Sequence, residues 1–157
     1  MRIGHGYDAH RFCEDKVMRL GGVEIDSPVG LLAHSDGDVL LHALMDALLG
    51  AAGERDIGYQ FPDNAGEYKN IDSRILLART RDILRGKNLT IEYADMTVVA
   101  QKPKLKPYIE AMRAEIARVL EVDASRINVK ATTEEKMGFT GDESGIKAYA
   151  VCMLEDI

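Results

Sequence analysis

The sequence contains no tryptophan, only two cysteines and only 6% aromatic residues. Its 20 lysines and arginines are outnumbered by 26 aspartates and glutamates, which gives a formal net charge of −6. Because phosphate backbones bind basic surfaces, this balance argues against a nucleic acid partner. Cys13 and Cys152 form no closely spaced pair, and a chain of 157 residues needs no disulfide to stay folded. We therefore expect a reducing, cytoplasmic location.

Long hydrophobic runs are also missing. The longest apolar stretch covers residues 39–52, but His42 and Asp46 interrupt it, and it falls short of the about 20 residues that span a bilayer. The first residues show no basic segment followed by an apolar one, as a cleavable signal would. We expect no membrane partner.

Apolar residues make up 46% of the chain, enough for one hydrophobic core, and neither a repeat nor a flexible linker divides the sequence. The pattern predicts a single domain over residues 1–157. Strands are predicted at 1–10, at 17–25 as two short strands joined by Gly21-Gly22, at 89–101, at 127–131 and at 146–154.

Helices are predicted from a cap at Ser35 or Asp36 to Ala52, from Asp72-Ser73 to Gly86, and from Pro107 to about Glu121. Residues 56–64 and 132–145 are predicted as loops. This order of elements predicts an α/β (α+β) fold, with a mixed β-sheet, helices packed on one of its faces and a small β-hairpin.

The first predicted helix is apolar around most of its circumference, which indicates burial. Asp38, His42 and Asp46 nevertheless recur every four residues, so they share one stripe, with Ser35 one turn earlier. Buried ionisable groups need partners, and a metal ion or a bound anion would supply one. The alternative is a polar helix edge that faces solvent.

Asp8 and His10 lie two residues apart in the first predicted strand, so their side chains point to the same face. Together with His42 they offer two nitrogens and one carboxylate, which suffices for Zn²⁺ with a fourth position open to a substrate oxygen. An open position is typical of catalytic metal sites. The alternative is an aspartate and a histidine on an exposed strand end.

Two glycine patterns are interpreted as chance matches. The segment Gly4–Ala9 fits G-x-G-x-x-G/A, but it follows only three residues and precedes no predicted helix. The segment Gly138–Gly145 lacks the lysine and the spacing of a phosphate-binding loop.

Lysines 102, 104 and 106 lie on a proline-stiffened turn, which would suit a diphosphate or nucleotide, although a solvated surface turn is the alternative. Hydroxyl and carboxylate side chains follow the strand at 127–131, in the run Thr132-Thr133-Glu134-Glu135. They could hold phosphate oxygens and Mg²⁺, or form an ordinary polar strand exit.

Four motifs occur in order along the chain: Gly4-x-Gly6-x-Asp8-x-His10, Ala-His-Ser-Asp-Gly-Asp at 33–38, Asp-Ile-Gly at 56–58 with Phe-Pro-Asp at 61–63, and Lys-Ala-Thr-Thr at 130–133 with Glu-Lys-x-Gly-Phe-Thr-Gly at 135–141. Their order and spacing resemble the 2-C-methyl-D-erythritol 2,4-cyclodiphosphate synthase family of the non-mevalonate isoprenoid pathway. The resemblance covers nearly the whole chain. It implies a metal-dependent phosphorus-oxygen lyase that converts 4-diphosphocytidyl-2-C-methyl-D-erythritol 2-phosphate to the 2,4-cyclodiphosphate and CMP. It also implies a homotrimer with active sites between subunits.

The resemblance further implies roles for individual residues. Asp8, His10 and His42 match the ligands of one Zn²⁺ per subunit, and Glu135 matches the residue that helps hold Mg²⁺ or Mn²⁺ with the substrate. His34 and Thr133 match catalytic positions, and Asp46 matches a carboxylate beside the zinc histidines. Substrate-binding positions are matched by Ser35, Asp56, Gly58, Phe61, Asp63, Ala100, Lys104, Leu105, Lys106, Thr132 and Thr133.

One residue departs from the family pattern. Many members carry an arginine just after the Gly-Phe-Thr-Gly segment, at a cavity on the trimer axis that binds anions, and this chain has Asp142 followed by Glu143 there.

Two functions from other classes remain compatible with the sequence. One is a trimeric nucleotide-binding regulator without turnover, and the other is a metal-dependent phosphohydrolase that uses water as the nucleophile.

Overall fold

The computed structural model describes all 157 residues. The strands are β1 (Arg2–Cys13), β2 (Met18–Leu20), β3 (Val23–Ile25), β4 (Gly30–Leu31), β5 (Leu89–Val99), β6 (Ile127–Thr132) and β7 (Gly145–Asp156). The α-helices are α1 (Val39–Ala52), α2 (Ile57–Gln60), α3 (Ser73–Gly86), α4 (Ile109–Leu120) and α5 (Gly138–Gly141). Short 3₁₀ helices cover Gly66–Tyr68, Lys106–Tyr108 and Ala124–Arg126.

The strands form a five-stranded sheet in the order β4-β1-β7-β5-β6 and a separate hairpin of β2 and β3. Only β5 and β6 pair in parallel, so the sheet is mixed. Gly21 and Gly22 both have positive φ, as the predicted tight hairpin turn requires. The predicted mixed sheet with helices and a small hairpin is confirmed.

A cluster of 37 buried residues forms the hydrophobic core, and α1 lies at its centre. Twelve of the 14 residues of α1 are buried, because the helix is covered by the sheet on one side and by α3 on the other. No helix of the structure is both long enough and apolar enough to cross a membrane.

Two glycines of β1 let α1 approach the sheet closely. A Cβ atom on Gly4 would lie 1.9 Å from the carbonyl oxygen of Ala47, and one on Gly6 would lie 1.8 Å from that of Ala43. These separations are far shorter than any van der Waals contact, so only glycine fits. The glycines therefore serve helix–sheet packing inside a strand, and the dinucleotide pattern at 4–9 is a chance match.

The start of α1 differs from the prediction. The cap is neither Ser35 nor Asp36 but Asp38, whose side chain accepts a hydrogen bond from the backbone N–H of Leu41 at 3.0 Å. Gly37 has a φ of 80°, which keeps the preceding residues out of the helix. Asp38 thus leaves the predicted stripe on the helix and accepts from the N–H groups of Gly21 and Gly22.

The predicted loops contain short helices. The Asp56 side chain accepts from the N–H of Tyr59 and caps α2 within the predicted loop 56–64, and α5 forms within the predicted loop 132–145. Strand β5 ends at Val99, two residues before the predicted end. Hydrophobic periodicity does not encode the capping bond of Asp56, which is why the sequence does not predict α2.

The sheet face opposite the helices is uncovered in a single chain. It presents large apolar side chains from three neighbouring strands, and the exposed ones include Ile3, Tyr7, Tyr93 and Val151. Tyr7 also packs against Tyr149, with ring centroids 5.2 Å apart. An apolar sheet face of this kind marks an interaction surface.

We expect Gly6→Ala to lower the free energy of unfolding by about 3 kcal/mol, because the added methyl group must push α1 away from β1. Urea denaturation measures this change. The matched control is Gly50→Ala, at an exposed position of α1 with nothing within 4 Å of the added Cβ. That substitution should stabilise the protein by about 0.5–1 kcal/mol. Equal stability of Gly6→Ala and the wild type would contradict the packing argument.

Candidate active site

Three candidate ligand atoms meet where β1 faces the first turns of α1. Asp8 Oδ2 lies 3.0 Å from His10 Nε2 and 3.1 Å from His42 Nδ1, and the two nitrogens are 3.1 Å apart. Asp8 and His10 project from the same face of β1 as the two close-packed glycines. This near-equilateral arrangement, the ligand triangle, brings together the three residues that the sequence predicts as zinc ligands.

The charges in the ligand triangle stabilise one another. Burial alone would raise the pKa of Asp8, but the hydrogen bonds and positive charges of His10 and His42 outweigh it and lower the pKa to about 2. Burial alone would lower the pKa of His42, but the hydrogen bond and charge of Asp8, with the charges of Asp38 and Asp36, raise it. The site therefore holds a carboxylate that favours an adjacent cation.

The ligand triangle fits a divalent metal ion such as zinc. Two imidazole nitrogens and one carboxylate oxygen are typical zinc donors, and tetrahedral zinc spaces its ligand atoms about 3.4 Å apart. The side chains of Asp8 and His10 remain 24% and 16% exposed, whereas that of His42 is 7% exposed. The open side of the triangle therefore faces a cleft, which leaves room for a further ligand.

The cleft has a volume of about 340 Å³ and contains several predicted substrate residues. Lys16 donates to the carbonyls of Ala33 and Ser35 and so fixes the segment that carries His34. His34 Nε2 lies 3.2 Å from the carbonyl oxygen of Ala65 across the cleft. The predicted residues that line the cleft are Asp8, His10, His34, Ser35, His42, Gly58, Phe61 and Asp63.

A second group of predicted residues lies at the other end of the sheet. The N–H of Ala100 donates to the carbonyl of Thr132, and the N–H of Glu135 donates to the hydroxyl of Thr133. Ala131, the residue before Thr132, lies in register with Asp8 across the sheet. The two are separated by the three strand spacings from β1 to β6, roughly 14 Å. One chain therefore does not bring the residues at the end of β6 to the ligand triangle. The group comprises Ala100, Lys104, Leu105, Lys106, Thr132, Thr133 and Glu135.

Asp46 and Asp56 organise the short helix α2. Asp46 Oδ1 accepts from the N–H of Ile57 at 2.9 Å, and burial, partly offset by this bond, raises the pKa of Asp46. This contact fixes the start of the helix that carries Gly58. Asp46 makes no hydrogen bond to either histidine of the ligand triangle, so its role beside them stays a prediction.

Burial decides between the two interpretations of the stripe on α1. Asp38 is fully buried and His42 is 6% exposed, so a solvent-facing polar edge is wrong for both.

Asp142 occupies the position at which this sequence departs from the family pattern. It is exposed and accepts hydrogen bonds from the N–H and hydroxyl of Ser144. Its neighbour Glu143 pairs with Lys102 at 3.5 Å.

Sequence reasoning missed one polar contact to His42. Ser73 is fully buried, and its Oγ lies 3.1 Å from His42 Nε2, while the hydroxyl itself donates to Asp36 Oδ1 at 2.6 Å. In the sequence Ser73 appears only as a helix start. No spacing rule connects it with a histidine 31 residues away.

The chain matches the model of the YgbB family over residues 1–155. It is 54% identical over 155 residues to a 2-C-methyl-D-erythritol 2,4-cyclodiphosphate synthase of Fusobacterium nucleatum, with 99% of this chain and 97% of that protein covered. A protein of the same name from Pseudomonas putida is 57% identical over 154 residues, with 98% of each covered.

Solved structures agree with these relatives. The bifunctional IspDF of Campylobacter jejuni superposes with a TM-score of 0.96 at 45% identity, and the match covers 99% of this chain and 42% of that longer one. The Plasmodium falciparum IspF CDP complex gives a TM-score of 0.86 at 39% identity, with 99% and 96% covered. A family match of this extent, with several relatives above half identity over their full length, shows that the chain belongs to the YgbB family.

Proposed function

We propose that this chain is a metal-dependent cyclase that converts 4-diphosphocytidyl-2-C-methyl-D-erythritol 2-phosphate to 2-C-methyl-D-erythritol 2,4-cyclodiphosphate and CMP. The observation that carries the proposal is the ligand triangle, which opens into a cleft lined by His34, Ser35 and Asp63. The names of the relatives and the CDP bound in a related structure support the same reaction.

The reaction joins two parts of one molecule. An oxygen of the 2-phosphate attacks the β-phosphorus, a new P–O bond closes the ring, and the bond from the β-phosphorus to the oxygen bridging the α-phosphorus breaks. That bridging oxygen leaves with CMP. Because nucleophile and electrophile belong to the same substrate, the protein needs no nucleophile of its own. Its residues have to fold the substrate into the attack geometry.

The residues at the ligand triangle divide this work. Asp8, His10 and His42 would hold one Zn²⁺ per subunit, which supplies a Lewis acid for a phosphate oxygen when bound. His34 and Ser35 line the same cleft and would position the phosphates. Gly58, Phe61 and Asp63 also line it and, with Asp56, would position the erythritol part.

The second group of residues would bind the nucleotide. Lys104 and Lys106 are exposed cations on the turn after β5, suited to the charge of a diphosphate. The hydroxyls of Thr132 and Thr133 would contact the phosphates, and the exposed carboxylate of Glu135 would hold Mg²⁺ or Mn²⁺ with the substrate. The backbone around Ala100 and Leu105 would receive the cytosine base.

We infer that the functional unit is a homotrimer with active sites between subunits. Two observations support this assembly: the apolar sheet face that no helix covers, and the roughly 14 Å in one chain between Asp8 and the end of β6, which leads into Thr132 and Thr133. A neighbouring copy would bring the nucleotide group of one subunit to the ligand triangle of another.

We also infer that residues 1–157 form one domain, because one core cluster joins the elements of the chain. We infer a cytoplasmic location, because Cys13 and Cys152 carry free thiols.

Two other functions compete with the cyclase. A nucleotide-binding regulator would not need the ligand triangle, and here the three ligand atoms are intact and 3.0–3.1 Å apart. A metal-dependent phosphohydrolase would use the same ligands with water as the nucleophile. Only the product separates hydrolysis from cyclisation.

Phosphorus NMR on the purified protein with the cytidyl substrate and Mg²⁺ tests the proposed reaction and its metal dependence. We expect signals of a cyclic diphosphate and CMP, their loss after tightly bound metal is removed by a chelator, and their return when Zn²⁺ is added. Asp8→Asn and His42→Gln should each lower the rate at least about 100-fold, because each removes a metal ligand. The control Asp82→Asn, at an exposed position on α3, should keep the wild-type rate.

The outcomes separate the three candidate functions. CMP with an uncyclised phosphorylated product would indicate a phosphohydrolase, and retained nucleotide binding without turnover would indicate a regulator. Full activity of the metal-free variants would refute the metal role of the triangle.

Light scattering tests the proposed assembly. The wild type should have a mass about three times the 17.3 kDa of one chain, and Val151→Glu should dissociate it, because a charge would be buried on the uncovered sheet face. The dissociated variant should also lose turnover, since each active site needs two subunits.

The matched control for the assembly test is Ile75→Glu on α3. Ile75 and Val151 are each 48% exposed, and both substitutions add one negative charge. Ile75→Glu should remain trimeric and active. A wild-type monomer that turns over the substrate would contradict the shared active site.

A further inference from the structure

The buried surroundings of His42 suggest a positioning role for a residue outside the predicted site. His42 presents Nδ1 to the ligand triangle, 3.1 Å from Asp8 Oδ2. Its other ring nitrogen, Nε2, lies beside the start of α3. There it meets the hydroxyl oxygen of Ser73 at 3.1 Å, and Ser73 is fully buried.

Asp36 holds Ser73 at two points. Asp36 Oδ2 accepts from the backbone N–H of Ser73 at 2.9 Å, and Asp36 Oδ1 accepts from its hydroxyl at 2.6 Å. The segment around Asp36 is itself fixed to the residues just before α3, because the N–H of Asp36 donates to the carbonyl of Ile71. The position and the orientation of the Ser73 hydroxyl are therefore set by the fold.

The direction of these hydrogen bonds follows from the number of hydrogens. A serine hydroxyl has one hydrogen, and a carboxylate can only accept, so the hydrogen of Ser73 belongs to the bond with Asp36. Toward His42, Ser73 then offers only lone pairs, and Nε2 of His42 must carry a hydrogen and donate it. In the neutral ring that binds a metal ion, the lone pair is consequently on Nδ1, the nitrogen in the ligand triangle.

Ser35 does not fix the ring in this way. Its hydroxyl oxygen also lies 3.1 Å from His42 Nε2, and it accepts from the N–H of Gly37 at 3.3 Å. No carboxylate takes the hydrogen of Ser35, so this hydroxyl is free to donate or to accept. Of the two serines, only Ser73 therefore has a fixed role in its hydrogen bond with His42: Nε2 donates and Ser73 accepts.

We propose that Ser73, oriented by Asp36, is a positioning residue of the metal centre: it accepts a hydrogen bond from Nε2–H of His42 and holds Nδ1 toward the ion. The inference rests on the metal centre of the proposed function and deepens it. Partners of this kind on metal-bound histidines typically change metal affinity by about 10–100-fold. Ser73 does not touch the substrate or the ion in this arrangement.

Competition with a zinc chelator of known affinity tests the role. In the full chain, Ser73→Ala should bind Zn²⁺ about 10–100-fold more weakly than the wild type. Asp36→Asn keeps Ser73 but frees its hydroxyl hydrogen to point at His42, and it should also weaken zinc binding. The matched control is Thr80→Ala, which removes another fully buried hydroxyl of α3 that donates only to the carbonyl of Leu76. Its zinc affinity should stay within about twofold of the wild type.

A spectroscopic readout separates positioning from a loss of stability. Proton NMR of the zinc-loaded, nitrogen-15 histidine-labelled protein should show a downfield Nε2–H signal of His42 that exchanges slowly with water. We expect this signal in the wild type and in Thr80→Ala, and its loss or an upfield shift in Ser73→Ala.

Three results would overturn the inference. Wild-type zinc affinity and an unchanged Nε2–H signal in Ser73→Ala would refute the role of Ser73 alone and leave the proposed function intact. Equal losses of affinity in Ser73→Ala and Thr80→Ala would assign the effect to stability of α3. Absence of zinc binding by the wild type would overturn the metal centre and this inference together.

Discussion

The close approach of α1 to β1 is the constraint on which the candidate site depends. Gly4 and Gly6 have no side chain toward the helix, so the carbonyls of Ala47 and Ala43 come within reach of the strand backbone. Strand β1 and helix α1 run in opposite directions: Gly4 lies beside Ala47, and Gly6 lies beside Ala43, which is nearer to the first turn of the helix. The next side chain on the same strand face is Asp8, which there meets His42. Packing of small residues thus sets the distance between two ligands from separate elements.

Burying a histidine beside the sheet has an electrostatic cost that nearby carboxylates offset. Asp8 contacts His42 directly, and the charges of Asp36 and Asp38 act on it from the start of α1. Asp38 itself is fully buried and accepts three backbone N–H bonds, although burial and the charge of Asp36 raise its pKa to about 6. The resulting excess of negative charge around one imidazole favours a bound cation. This is the electrostatic basis of the candidate metal centre.

Local periodicity predicts much of this molecule from its sequence. Alternation places Asp8 and His10 on one strand face, and the buried character of α1 follows from its apolar circumference. The meeting of these residues with His42 depends on tertiary packing, so the sequence supports it only as one of two interpretations until the family resemblance is added. The contact of Ser73 with His42 escaped prediction, because it joins segments 31 residues apart. The cap at Asp38 escaped prediction, because hydrophobic periodicity does not show the positive φ of Gly37 that delays the start of α1. The separation of the two groups of substrate-binding residues was not predicted either, because it depends on the order of the strands in the sheet.

The most direct test of the central claim is the anomalous diffraction of zinc-loaded crystals at the zinc absorption edge. The account predicts one strong peak per chain, about 2.0–2.2 Å from Asp8 Oδ2, His10 Nε2 and His42 Nδ1. It also predicts that His42 binds through Nδ1 while its Nε2 keeps the contact with Ser73. A chain without a peak at these three atoms, or a zinc ion bound through Nε2 of His42, would contradict it.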